Sequence, residues 1–189
     1  MKKIKSIAVL VIITVNLGFS QDQAKNIFGV SAGFIPATMD IYFDDPFDFW
    51  VDRELSPVYH LFYARQVRES FRIGGYLEYE KAKFSTQSEI GIYNFKRYNL
   101  GINWLGQYPK TALHLQLGGY FGYGFLKAES WDNLNGIDLG VIMGPAFELK
   151  RFGVAFHIQG GHAWYESDGS PKGVMLYSPK YMFKVYYKL

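Results

Sequence analysis

The chain contains no cysteine among its 189 residues. That excludes a disulfide framework, a thiolate metal site, a cysteine nucleophile and a lipid-modified amino-terminal cysteine. Beyond the first twenty residues there is no apolar run long enough to cross a bilayer as a helix, which needs about 20 residues. No glycine-rich loop followed by Lys-Ser/Thr is present to cradle phosphate. His-x-x-Ser is also missing; the stretch after His162 reads Ala163-Trp164-Tyr165-Glu166-Ser167. A lipid-modifying hydrolase is therefore not expected, nor are catalytic or cofactor-binding residues. Charged residues are few, at 20%, and aromatics many, at 19%. A disordered chain has the opposite balance.

The amino terminus reads as an address. Lys2, Lys3 and Lys5 precede an apolar run from Ile7 to Val15, and small residues stand at Gly18 and Ser20. This is the layout of a secretory signal peptide over residues 1–20, with a mature domain over 21–189. The leader holds three lysines and no acid, so the formal charge of +3 vanishes once it is removed. No basic stripe remains for a phosphate backbone, and nucleic acid is not an expected partner.

What fills the mature chain is alternation. From Thr111 to Leu126, Leu113, Leu115, Leu117, Phe121, Tyr123 and Phe125 fall on one face. His114, Gln116, Gly118, Tyr120, Gly122 and Gly124 fall on the other. Only a strand separates these sets. Similar segments lie at residues 26–36, 58–67, 71–81, 93–105, 137–149, 154–165 and 177–189, giving eight strands. Short connections (68–70, 106–110, 150–153) alternate along the chain with longer, polar ones (38–57, 84–91, 127–135, 166–172). That asymmetry predicts an all-β, eight-stranded antiparallel up-and-down transmembrane β-barrel, with short periplasmic turns and long outer loops. Trp104, Tyr123, Trp164 and Tyr187 suit interfacial girdles. Pro145 and Pro179 interrupt proposed strands and predict local bulges. A soluble, periplasmic lipocalin-like lipid carrier is the alternative, with the apolar faces turned inward.

In the membrane-spanning arrangement the inward faces carry glycine and charge. Eight strands leave room only for side chains, so charges there must pair. Counting up from the short turns places Glu78, Glu80, Arg97 and Lys180 at similar heights, with Glu148, Arg72 and Lys184 lower. These seven residues are expected to form lumen ion-pair networks. The chain resembles the small eight-stranded outer-membrane barrels, the group of the transmembrane domain of outer-membrane protein A and the outer-membrane protein X type, over about residues 26–189. Its last segment, Tyr181-Met182-Phe183-Lys184-Val185-Tyr186-Tyr187-Lys188-Leu189, is similar to that family's assembly signal, although Leu189 stands where Phe or Trp is usual. The resemblance implies outer-membrane lipid and the outer-membrane assembly machinery as partners, a Gram-negative cell envelope, and at most a narrow, porin-like pore.

The segment from Thr38 to Glu54 interleaves Asp40, Asp44, Asp45, Asp48 and Asp52 with Tyr42, Phe43, Phe47, Phe49 and Trp50. As an outer loop, it offers Asp44, Asp45, Phe47, Phe49 and Trp50 to an extracellular protein or glycan. Its carboxylates also suit a hard cation, but the spacing is not that of an EF-hand. Of the four histidines, His114 and His157 phase inward; no third or fourth ligand stands at metal-binding spacing, and no metal site is expected.

Overall fold

The computed structural model describes residues 26–44, 47–86, 92–108, 111–128, 133–167, 173–177 and 179–189. The expected leader lies outside them. The strands are β1 (Asn26–Ile35), β2 (Thr38–Asp44), β3 (Phe47–Arg53), β4 (Ser56–Arg68), β5 (Phe71–Thr86), β6 (Ile92–Tyr108), β7 (Leu113–Ala128), β8 (Leu134–Glu148), β9 (Phe152–Ser167), β10 (Gly173–Tyr177) and β11 (Lys180–Lys188). Three pairs of segments follow one another along single staves: β1 with β2, β3 with β4, and β10 with β11. Eight antiparallel staves result. The last pairs with the first, from Ile27↔Lys188 to Phe34↔Tyr181, and the ring is closed.

Closure leaves an outside and an inside, and the period-two pattern decides what faces each. The wall is apolar: Val30, Leu61 and Phe183 are 58%, 58% and 54% exposed. Inside lie charged and aromatic groups, Glu80, Arg97, His157 and Tyr165 among them, each 2% exposed or less. This orientation is that of a transmembrane barrel. A lipid carrier needs an apolar, open interior, and the described lumen is ionic and filled.

The 38–57 segment is a correction. It is not a loop but a β-hairpin, β2 paired with β3 from Thr38↔Arg53 to Asp44↔Phe47. β2 also pairs with β10 and β3 with β5, so the barrel wall continues upward. The aromatic residues that suggested a sticky loop are equally good strand formers. Asp45 lies outside the described residues. Asp40 is buried and Asp52 exposed, on opposite faces, which is incompatible with one cation cage containing both.

The prolines differ too. Met143↔Ile158 and Ala146↔Ala155 keep one register across Pro145, and Tyr177↔His162 and Lys180↔Gln159 do so across Pro179. Each proline opens a gap in the ladder to β9 without inserting a residue, as a missing N–H donor dictates. The inserted residues sit elsewhere. From Phe34↔Tyr181 to Ile41↔Met175 there are seven steps on the first stave (34 to 41) against six on the last (181 to 175). From Val58↔Glu80 to Arg53↔Phe84 there are five steps (58 to 53) against four (80 to 84). Pro36-Ala37 and Glu54-Leu55 thus form matched irregularities, and above them the inward phase switches from Ile35 to Asp40 and from Ser56 to Arg53.

Glycines make the interior fit. Gly101 and Gly122 face each other across β6 and β7. A Cβ on Gly101 would lie 2.5 Å from Tyr76 Cζ, and one on Gly122 2.7 Å from its hydroxyl oxygen. The pair forms the slot in which the Tyr76 ring lies. Gly101→Val is expected to cost about 1–3 kcal/mol through overpacking. Urea unfolding of the detergent-folded protein checks this; an unchanged midpoint would mean the slot is not filled.

Candidate functional site

The lumen is layered. At the outer end, Val51, Phe84, Phe95, Leu126, Tyr165 and Leu176 belong to a buried apolar cap. Below it lies an ionic belt. Arg97 on β6 is 2.7 Å from Glu78 and 2.6 Å from Glu80, both on β5, and 3.4 Å from Asp138 on β8. Lys180, first residue of β11, closes the belt from the opposite wall, 2.9 Å from Glu78 and 2.9 Å from Asp138. Asn99 donates to Asp138 at 2.9 Å, and the His60 ring meets Glu78. Above the phase switch, Arg53 is 2.8 Å from Glu80 and 3.5 Å from Asp40.

Aromatic faces line the cationic groups where carboxylates do not. Arg53 lies over Phe84, Lys180 over Tyr120 and Arg72 over Tyr186, at 5.3, 5.3 and 5.6 Å from the ring centres. Tyr76 stacks on His60 and meets Tyr120 edge-on.

A second cluster closes the lower end around Glu148. Arg72 reaches it at 2.5 Å, the Tyr186 hydroxyl donates to it at 2.5 Å, and Lys188 and Gln107 donate as well. Between the clusters, His157 donates to Gln116 at 2.7 Å, and Gln116 donates to His114 at 3.2 Å. His114 Nδ1 in turn meets the Thr111 carbonyl, which fixes the proton on that nitrogen and leaves Nε2 to accept.

The structure brings Glu78, Glu80, Arg97 and Lys180 together, and Arg72 with Glu148. It does not bring Lys184 to Glu148. Lys184 is buried with its ammonium 5.2 Å from the Phe62 ring centre, and among the described residues it makes no ion pair. Lys188 takes the place beside Glu148 instead. Both residues share the inward phase of the last strand, so alternation alone does not choose between them. Asp138, Asn99 and His60 were readable as inward, opposite Ile137 and Leu139, Leu100, and Leu61, but height counting from the turns left them out. Asp40 and Arg53 were hidden by the phase switch. Among the described residues, no group of three metal-ligating side chains is arranged around a common point.

A cavity of about 10 Å³, bordered by Arg53, Arg97, Asp138 and Lys180, lies in the belt. It has room for about one water molecule, and the lumen at this level is packed.

No protein-family model and no curated protein matches the chain. Among solved structures, Neisserial surface protein A (NspA) is similar at 14% identity, covering 89% of this chain and 100% of its own, with a TM-score of 0.52. The outer-membrane protein Ail of Yersinia pestis, in a phospholipid bilayer nanodisc, aligns at 13% identity, 88% and 100% coverage and a TM-score of 0.49. Its crystal form with the heparin analogue sucrose octasulfate aligns at 13% identity, with the same coverage and a TM-score of 0.43. The likeness to NspA supports one conclusion. The fold is that of the small eight-stranded transmembrane β-barrels.

Removing one partner of the belt strands the others in a low-dielectric interior. Arg97→Met is expected to cost about 3–5 kcal/mol, because Glu78, Glu80 and Asp138 all lose a cation. Lys184→Met, which strands no carboxylate within ion-pair distance and nearly conserves volume, is expected to cost less than about 1.5 kcal/mol. Urea titrations of the two variants in one detergent, followed by tryptophan fluorescence, give the ranking; the reverse order would refute the assignment of partners.

Proposed function

We propose that the protein is an integral outer-membrane barrel of the Gram-negative cell envelope. In this reading a cleaved leader over residues 1–20 sends it across the inner membrane, and the assembly machinery inserts the 21–189 domain. Its lumen is a structural plug, and it acts at the surface through what the outer strand ends display. The observation that carries this reading is an apolar wall around a filled, ion-paired interior. A wall of exposed Leu, Phe and Val is costly in water and favourable in hydrocarbon. A lumen blocked by an ionic belt and an apolar cap does not favour conduction. Ser31 stands opposite His60 across β1 and β4, but its buried hydroxyl makes no hydrogen bond among the described residues, and a non-enzymatic role is part of this reading.

Among the described residues of the outer rim, the β2–β3 hairpin has the most contact chemistry. Asp44, Phe47, Phe49 and Trp50 lie on its two strands, and Asp45 is outside the described residues. In this proposal they meet an extracellular protein or glycan, for which aromatic and acidic groups are common recognition elements.

The mature chain is expected to fold only with detergent or lipid, to migrate differently on gels before and after boiling, and to give no discrete conductance steps in planar bilayers. Folding to a monodisperse state in plain buffer would overturn the membrane reading, and discrete steps would overturn the plug. Replacing Phe47, Phe49 and Trp50 together by Ala should leave the heat-dependent gel shift intact while lowering binding to surface proteins or glycans at least about tenfold.

A further inference from the structure

The outer wall carries a one-signed charge pattern that the lumen does not explain. On β5, β6 and β7 the charged residues that face outward are, among the described residues, Lys81, Lys83, Lys96 and Lys127. Lys83 lies 3.7 Å from Glu54. The other three form a line: Lys81 is the direct cross-strand partner of Lys96, and Lys96 of Lys127. All three are exposed. Directly opposed side chains on one sheet face have Cβ atoms about 5 Å apart, and like charges so placed repel. A sheet tolerates such a line when an anion lies against it.

The level of the line identifies the anion. One outward position lower on the same strands stand Tyr79, Tyr98 and Phe125, again direct partners of one another, with Tyr59 extending the row on β4. Tyr79 and Tyr98 are in contact, with ring centres 5.2 Å apart. Aromatic rows of this kind sit at the headgroup level of a bilayer. The next row down is Leu77, Leu100 and Tyr123, and below it Ile102 and Phe121 face the hydrocarbon. A ligand lying on this surface therefore meets three ammonium groups, then aromatic rings, then an apolar wall. That sequence matches a phosphorylated headgroup followed by acyl chains.

We propose that Lys81, Lys96 and Lys127 hold the phosphate of an anionic lipid in the outer leaflet, whose acyl chains lie along the wall beneath the aromatic row. The lysines act as mobile point charges that converge on phosphate oxygens, and the bound lipid relieves their mutual repulsion. Free phosphate shares the headgroup chemistry but gains nothing from the apolar wall. The inference rests on the membrane-spanning reading above.

The test uses the folded mature protein in micelles, with bound lipids counted by native mass spectrometry. The probes are bis-phosphorylated lipid A, the same lipid dephosphorylated, and inorganic phosphate as competitor. The wild type is expected to retain the bis-phosphorylated lipid at about tenfold lower concentration than the dephosphorylated one, as several lysines near an anionic headgroup imply. The triple variant Lys81→Gln, Lys96→Gln, Lys127→Gln is expected to keep the heat-dependent gel shift and to lose that preference. Equal retention of the two lipids by the wild type, or an undiminished preference in the folded variant, would overturn the proposal. Displacement by equimolar inorganic phosphate would assign the site to free phosphate and overturn the lipid assignment. A wild type that does not fold in micelles at all would instead overturn the membrane-spanning reading itself.

Discussion

Closure of the backbone ladder is the constraint from which the rest follows. In hydrocarbon an unpaired N–H or C=O has no water to turn to, so a spanning sheet has to end where it begins. Here the seam is the pairing of β1 with β11, which runs without interruption from Ile27 to Phe34. A ring of eight staves encloses a space only as wide as its own side chains. Any charge on the inner face is then cut off from solvent, and a counterion or an aromatic face has to come from within the wall. The belt around Arg97 and the cluster around Glu148 are consequences of that geometry. So are the cationic groups that lie on aromatic rings.

Much of this is written in the sequence because strand alternation is a short-range property. A face is fixed by parity alone, so the outward Leu113, Leu115 and Leu117 and the inward His114 and Gln116 follow from position. Which inward residues meet is harder, because it depends on register between strands that are distant in sequence. Glu80 and Arg97 are joined by a single hairpin, and counting from its ends brings them to the same height. Asp138 reaches the same point from another hairpin. Lys184 and Lys188 have the same parity, and only the register of β11 against β1 and β9 puts the second beside Glu148.

Parity itself fails at the upper end of two neighbouring staves, with a structural consequence. Pro36-Ala37 and Glu54-Leu55 insert a residue on each of two paired staves at the same height. The two irregularities leave those staves in register with each other, since Ile35↔Ser56 and Thr38↔Arg53 bracket equal lengths of chain. They slip together against their neighbours. The inward set changes from odd to even on one stave and from even to odd on the other. That change turns Asp40 and Arg53 into the lumen, where they extend the belt to Glu80. A single insertion would have turned one side chain inward without its partner and left a buried charge unmatched, at a cost of several kcal/mol. The matched pair is the form in which such a slip is compatible with a closed, low-dielectric interior.

The distribution of charge over the two faces follows from the same physics. Inside, cations and carboxylates are interleaved, because nothing from outside the chain reaches them. The outer wall obeys no such rule: it is in contact with whatever the membrane supplies. On β5, β6 and β7 the described outward charges are lysines alone, collected above the aromatic row, while the carboxylates of the same strands, Glu78 and Glu80, all point into the lumen. A wall that placed its acids inside and its bases outside at one level has its neutrality divided between two environments. The inner carboxylates are matched within the protein, and the outer lysines are matched only with an anion from the lipid.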